Sequence, residues 1–145
     1  MLTSLPARMF DPDAPEDKKC YVMVHTPAYI HMSVSDRVSG GYQFSPRRID
    51  FEPKTCEAPH IWKRIGQDKW VLMYDIFSIK PHNFGFAETS DFQTFDDLGH
   101  FNEGVMKYEG SNLAPKHGAV VQITQEEADR LEDYWQNNPK PAKKK

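Results

Sequence analysis

The sequence predicts an all-β chain of antiparallel sheets with one short C-terminal helix. Three observations predict it. Short apolar runs recur about every ten residues with turn signals between them. The 11 prolines and 8 glycines leave little room for long helices. A capping-box pattern stands near the C-terminus, just before an acidic stretch with helical spacing.

Residues 1–19 carry prolines at 6, 12 and 15, which bar a regular helix or a central strand. The run Cys20-Tyr21-Val22-Met23-Val24-His25 is β-rich, and residues 29–35 alternate apolar and polar, as a strand with one buried face does. Ser39-Gly40-Gly41 makes a turn, and residues 42–51 form a third extended segment. An early meander of about three strands is the expectation.

The next meander runs from Cys56 to Gly99. Its apolar runs are His60-Ile61-Trp62-Lys63, Trp70-Val71-Leu72-Met73-Tyr74, Phe84-Gly85-Phe86-Ala87, and a fourth over residues 95–98. Gly66-Gln67-Asp68-Lys69 supplies a hairpin turn whose glycine accepts positive φ. Residues 102–115 read as a loop and 117–123 as a last strand. Thr124 is then the N-cap, Glu127 stands three residues on, and a helix over 125–135 presents Ala128, Leu131 and Trp135 on one face. Pro139 ends it, and residues 139–145, with lysines at 140, 143, 144 and 145, form a disordered basic tail.

Composition narrows the function classes. A chain of 145 residues suits one domain, here residues 1–138, and a net charge of −3 gives no general case for nucleic acid. No segment has the apolar length of a transmembrane helix, and the first ten residues lack the core of a secretory signal, so a cytoplasmic protein is expected. Cys20 and Cys56 make neither a disulfide framework nor a zinc site. His25, His31, His60, His82 and His100 lack zinc-ligand spacing. No metal ligand is assigned.

An internal echo points further. Ser-Asp ends a strand-like run at 35–36 and again at 90–91, each time leading through a turn to an aromatic residue, Tyr42 and Phe95. A repeat of roughly that spacing is in the range of a propeller blade.

These residues resemble family-43 glycoside hydrolases, the five-bladed β-propellers that include β-xylosidases and α-L-arabinofuranosidases. Glu57-Ala58-Pro59-His60-Ile61-Trp62-Lys63, followed by Trp70-Val71-Leu72-Met73-Tyr74, is similar to the segment holding that family's general acid. The two Ser-Asp turns resemble its blade signature. Lys116-His117-Gly118-Ala119-Val120, then Ile123-Thr124 and an acidic helix, resembles a propeller-closing strand. Together the motifs span residues 18–135.

The resemblance implies a partial β-propeller of about two four-stranded antiparallel blades plus the C-terminal helix, since a complete one needs roughly twice this length. It also implies hydrolysis of glycosidic bonds in pentose-containing oligosaccharides, with Glu57 as general acid at the channel end of an inner strand. Hydrolysis through water needs a second carboxyl group about 6.5–9.5 Å away. Asp11, in Phe10-Asp11-Pro12-Asp13, is the candidate for one of the family's two aspartates. Asp75 follows the strand 70–74 and could face the channel, though a strand-end residue capping a turn is the simpler reading. Phe77 and Phe84, either side of the loop 78–83, are candidates for a sugar-stacking rim, while Trp62, Trp70 and Tyr74 read as core. His117 is placed at the channel and the substrate, and the resemblance also allows it to help bind a metal there, as a histidine does in some relatives. No cofactor is expected; the resemblance leaves room for a central-channel metal such as calcium.

Two other readings stay open. One is a non-catalytic carbohydrate-binding or remnant propeller. The other is a small β-domain that associates through open sheet edges, either as a homo-oligomer or with a complementing propeller fragment.

Overall fold

A computed structural model of the chain describes residues 20–138, apart from 27, 38, 54, 81 and 107–115. Asp11 and the basic tail lie outside the described residues. The chain forms two antiparallel meanders followed by one helix. Strands β1 (Cys20–His25), β2 (Ile30–Ser35) and β3 (Gln43–Ser45) make the first sheet in that order. The second contains β4 (Cys56–Lys63), β5 (Trp70–Ile76), β6 (Asn83–Thr89) and β7 (Asp96–His100), again in chain order. Helix α1 covers Gln125–Asn137. The architecture is the all-β partial propeller expected, with blade-like sheets of three and four described strands rather than two of four.

Strand β5 shows why these residues form a sheet. Its side chains alternate between two faces. Leu72, Tyr74 and Ile76 join Met23, Ile30, Met32, Ile49, Ile61 and Ala87 in the core between the sheets. Val71 and Met73 point the other way and pack with Phe84 and Phe86, under Trp62, Leu98, Phe101 and Met106. Covered on both sides, all of residues 71–76 are buried. Each large apolar side chain so buried contributes about 1.5–3 kcal/mol.

The turns follow local chemistry. Gly66 adopts φ +71° in the β4–β5 hairpin, which Arg64 N–H closes on Lys69 O at 2.8 Å. Glu88 on β6 binds Arg64 at 2.6 Å and Lys69 at 2.5 Å, tying that hairpin to the third strand. After β6, Thr89 Oγ1 accepts from the N–H groups of Asp91 (3.3 Å) and Phe92 (3.0 Å). Asp91 caps the rest of the turn, its carboxyl held down to about 2 first by the Thr94 N–H and then by that of Gln93. After β2, Ser35 Oγ accepts from Arg37 N–H at 3.1 Å. The repeated device is therefore a hydroxyl at positions 35 and 89, not the Ser-Asp pair itself.

Two sequence expectations change here. Of residues 42–51, the ladder takes in Gln43–Ser45 alone. The last strand expected over 117–123 does not form. That segment lies against the second sheet through side chains, with His60 Nε2 on Val120 O at 3.0 Å and Gln122 Nε2 donating to Lys63 O. His117 at φ +51° turns the backbone out of strand geometry. The capping box does form: Glu127 N–H donates to Thr124 Oγ1 at 3.2 Å, and Thr124 N–H to Glu127 Oε2 at 2.8 Å. The face carrying Leu131 and Trp135 is exposed, and α1 buries no residue.

Candidate functional site

Glu57 is the second residue of β4 and Asp75 the second-last of β5, and the two stand opposite each other in the antiparallel ladder. Directly paired residues project to one face of a sheet. Beyond Glu57 the register shifts, because Ala58 and Pro59 together face Tyr74 before His60 pairs with Met73. A bulge tolerates a proline, which has no N–H for the ladder, and it re-aims neighbouring side chains. Thr55 at φ +67° and Ala58 at φ +48° bracket Glu57 in left-handed backbone. Non-glycine residues adopt that region only where the surroundings impose it.

Asp75 is deeply placed. Phe84 pairs with it from β6 on the side away from Glu57. Gly118 crosses close above Met73 and Phe84; a Cβ there would meet Met73 Cε and Phe84 Cζ, both at 3.1 Å. That approach lays His117 over the carboxylate, where its backbone N–H donates to Asp75 Oδ2 at 3.4 Å. The Asp75 side chain is 0% exposed, against 26% for Glu57. Burial pushes the Asp75 carboxyl up from the usual range, an effect Lys116, the His117 N–H and the His117 ring oppose and Glu57 reinforces.

Two basic side chains complete the group. Lys116 Nζ lies 2.8 Å from Glu57 Oε1 and 3.9 Å from Asp75 Oδ2. Its hydrogen bond to Glu57 raises the lysine pKa. His117 Nε2 lies 3.5 Å from Glu57 Oε1 and 3.9 Å from Asp75 Oδ2. Phe77 borders the cluster, its ring centroid 5.9 Å from Lys116 Nζ. The arrangement can exchange a proton between two carboxyl groups, hold an anion through Lys116, or hold a cation between the acidic groups.

The sequence-level candidates divide accordingly. Glu57, His117 and Phe77 come together. Phe84 is buried, its ring set edge-on to Phe86 and Phe101, so it lines the floor beneath the site rather than a rim. Trp62 packs against the apolar face and Tyr74 is fully buried, as expected of core. Asp75 is a correction. It lies within β5, because the ladder runs on to Ile76, and it faces Glu57 instead of capping a turn. Lys116 enters the sequence reading only as part of the 116–120 motif, with no site role. The signal for Asp75 was present in Trp70-Val71-Leu72-Met73-Tyr74-Asp75-Ile76, where a lone acid is flanked by apolar residues on both sides.

Among the described residues no helix is long and apolar enough to cross a membrane. No curated protein and no solved structure matches the chain. Residues 8–129 match the family model of the glycosyl hydrolase 43-related group, described as "Probable glycosyl hydrolase domain". That stretch contains both sheets, the bulged Glu57 segment and the His117 crossing, and it makes this chain a member of the glycosyl hydrolase 43-related family.

Proposed function

We propose that the chain acts on glycosidic bonds of pentose-containing oligosaccharides, of the xyloside or arabinofuranoside kind, with Glu57 delivering a proton to the departing sugar oxygen. The observation that carries this reading is the pairing of a solvent-reaching Glu57 with a buried Asp75 on one sheet face. Glu57 is the member of the pair that can touch substrate. Asp75 acts through it as a positioning residue, since two carboxyl groups this close favour holding a proton between them. Their nearest functional atoms lie within 4.8 Å, closer than the roughly 6.5–9.5 Å of a pair that works through water. The water-activating carboxyl therefore comes from elsewhere, and Asp11 is the proposed residue. Phe77 offers the sugar-stacking face and His117 a polar contact to a hydroxyl.

Hydrolysis of aryl xylosides and aryl arabinofuranosides tests it. Removing a general acid costs on the order of 100-fold or more in rate, so Glu57→Gln should lose that much with its fold intact. A purified protein without turnover, or a Glu57→Gln variant that keeps it, ends the reading.

One observation favours a second reading, carbohydrate binding without turnover: the Lys116 ammonium already engages the Glu57 carboxylate at 2.8 Å. Under it, xylo-oligosaccharides bind in calorimetry while neither wild type nor Lys116→Met turns over an aryl glycoside. Among the described residues β3, with its exposed Phe44, has no further strand paired to its outer edge. We propose that such an edge takes a complementing blade or a second copy of the chain. A monomer by light scattering counts against that.

A further inference from the structure

The large apolar side chains left exposed among the described residues are not scattered. Ile65, Val121, Ile123, Leu131, Tyr134 and Trp135 all belong to the tip of the β4–β5 hairpin, the segment beside it and α1. Ile65 and Val121 are the extreme cases, at 77% and 79% exposure. Apolar side chains exposed singly are ordinary, whereas a concentration of them marks an interaction surface. The hairpin tip and the segment are joined, because Gln122 Nε2 donates to Lys63 O. Gln122 also lines one groove with Lys63, Arg64, Ile65, Gly66 and Gln67. That groove has a volume of about 460 Å³, and no residue of α1 lines it.

Helix α1 supplies a complementary half. Ala128, Leu131 and Trp135 follow one another at three and four residues, so they share one helix face. The helix buries no residue on its own chain. It carries Glu126, Glu127, Asp129, Glu132 and Asp133 against Arg130 alone. Glu127 is engaged in the capping box and Glu126 faces Arg130 at 3.7 Å, while Glu132 and Asp133 have no cationic partner among the described residues. The groove has the opposite sign. Lys63, Arg64 and Lys69 answer only two carboxylates: Lys63 pairs with Asp68 at 2.9 Å, and Arg64 and Lys69 share Glu88. The Lys63–Asp68 pair is exposed on both sides and so weakly held, which leaves the ammonium free to turn to another carboxylate.

We propose that α1 of one copy of the chain seats its Leu131–Trp135 face in the hairpin groove of a second copy, and that a two-fold axis repeats the contact. Gln122 lines the groove and Thr124 caps the helix, so both halves belong to one end of the chain's fold and a two-fold rotation satisfies both at once. Packing α1 on α1 instead would bring two acidic helices together, which like charge opposes. A 13-residue helix is about 20 Å long and about 10 Å wide. Two such contacts bury on the order of 800 Å², the low end of protein association, so the dimer is weak, with a Kd of roughly 10–100 μM. At the low-micromolar concentrations of a spectroscopic unfolding experiment the chain is then monomeric. The groove lies at the Lys63–Trp70 end of β4 and β5, opposite the Glu57–Asp75 end, so the inference stands apart from the hydrolytic reading.

The experiment is sedimentation equilibrium of the full chain from about 2 to about 500 μM, at about 50 mM and about 500 mM NaCl. The expected result is a monomer–dimer equilibrium, at least about 3-fold weaker at the higher salt. Leu131→Asp and Ile65→Asp, both changes on exposed side chains, should each weaken the dimer at least about 10-fold. In the dimer of either variant both contacts carry the change. A Leu131→Asp copy nevertheless keeps an intact groove, and an Ile65→Asp copy an intact helix. An equimolar mixture of the two should therefore associate more tightly than either variant alone, and Phe44→Asp should leave the dimer as it was. The proposal is overturned by a chain that stays monomeric throughout, by affinity indifferent to salt, or by a dimer that Leu131→Asp or Ile65→Asp leaves unchanged. It is equally overturned by a mixture no tighter than its components, or by a dimer that Phe44→Asp abolishes, which would place the contact at the edge strand β3. Circular dichroism of each variant confirms that losses are not losses of fold.

Discussion

Gly85 faces Tyr74 across the β5–β6 ladder, and the tyrosine ring lies directly over it. A Cβ at position 85 would stand 2.3 Å from Tyr74 Cε2, 2.7 Å from Cζ and 2.9 Å from the hydroxyl oxygen. No side chain tolerates such contacts, and Tyr74 has nowhere to go, being 0% exposed in the core between the sheets. Its hydroxyl also accepts the Phe51 N–H at 3.3 Å, a bond that ring displacement would break. Overpacking of this kind costs about 1–3 kcal/mol and the lost hydrogen bond about 1 kcal/mol. Relief of glycine's backbone entropy returns about 0.5–1 kcal/mol. Gly85→Ala should therefore destabilise by roughly 1–3.5 kcal/mol, a fall in Tm of about 3–12 °C for a domain of this size. Urea unfolding followed by tryptophan fluorescence measures it. The decisive control is the same change in a Tyr74→Leu background, where the clash is absent and Gly85→Ala should cost less than about 0.5 kcal/mol. Equal costs in the two backgrounds, or a Gly85→Ala single variant as stable as wild type, would refute the steric account. The result matters for the site, because the seating of Tyr74 on Gly85 fixes the strand whose next residue is Asp75.

Two further outcomes are expected. Burial raises the Asp75 carboxyl, so the folded state holds its proton more tightly than the unfolded chain does. Stability then falls as pH rises from about 4 through the elevated folded value and stays lower above it. Asp75→Asn should remove that fall and be more stable than wild type at pH 7, the difference vanishing near pH 3; a less stable Asn variant at pH 7 contradicts the sign. Thr124→Ala removes the capping box of α1, worth about 1 kcal/mol to the helix. Since α1 buries no residue, the loss should appear as reduced ellipticity at 222 nm with the β-sheet unfolding midpoint unmoved. A shift of that midpoint by several degrees would show that the helix is coupled to the sheets.

What could be read in the sequence was what local chemistry decides. The turn at Gly66, the apolar runs that become β5 and β6, and the Thr124–Glu127 box each act within a few residues, and each formed. What could not be read depends on partners distant in the chain. The stretch 117–123 has a strand's composition, but its neighbours on the sheet are reached through the side chains of His60 and Gln122, and no spacing announces that. The bulge at Ala58 and Pro59 is a count of residues against Tyr74 on another strand, so it appears only once the strands are paired. The turn-capping reading of Asp75 fails for a related reason. An acid after five apolar residues looks like an end, and only the pairing of Cys56 with Ile76 shows that the ladder continues past it.

The burial of Asp75 is what the fold alone leaves unexplained. Position 75 shares its face with Val71 and Met73 and is flanked by Phe84, so a valine or isoleucine there would extend the apolar layer without desolvating a charge. Replacing buried ionic groups by well-packed apolar ones is often neutral or stabilising by about 1–4 kcal/mol. Asp50 escapes this reasoning, because Ile30 N–H and Arg48 make it the clasp of the segment leading out of the first sheet. Asp75 has no such structural task. Its neighbours are the second carboxylate on a bulged strand, an imidazole on left-handed backbone and an exposed lysine. Destabilising features collected in one place mark a site at which stability gives way to chemistry. The chain's family is described as a probable glycosyl hydrolase domain, and under the proposed function the chemistry gathered here is delivery of a proton to a glycosidic oxygen.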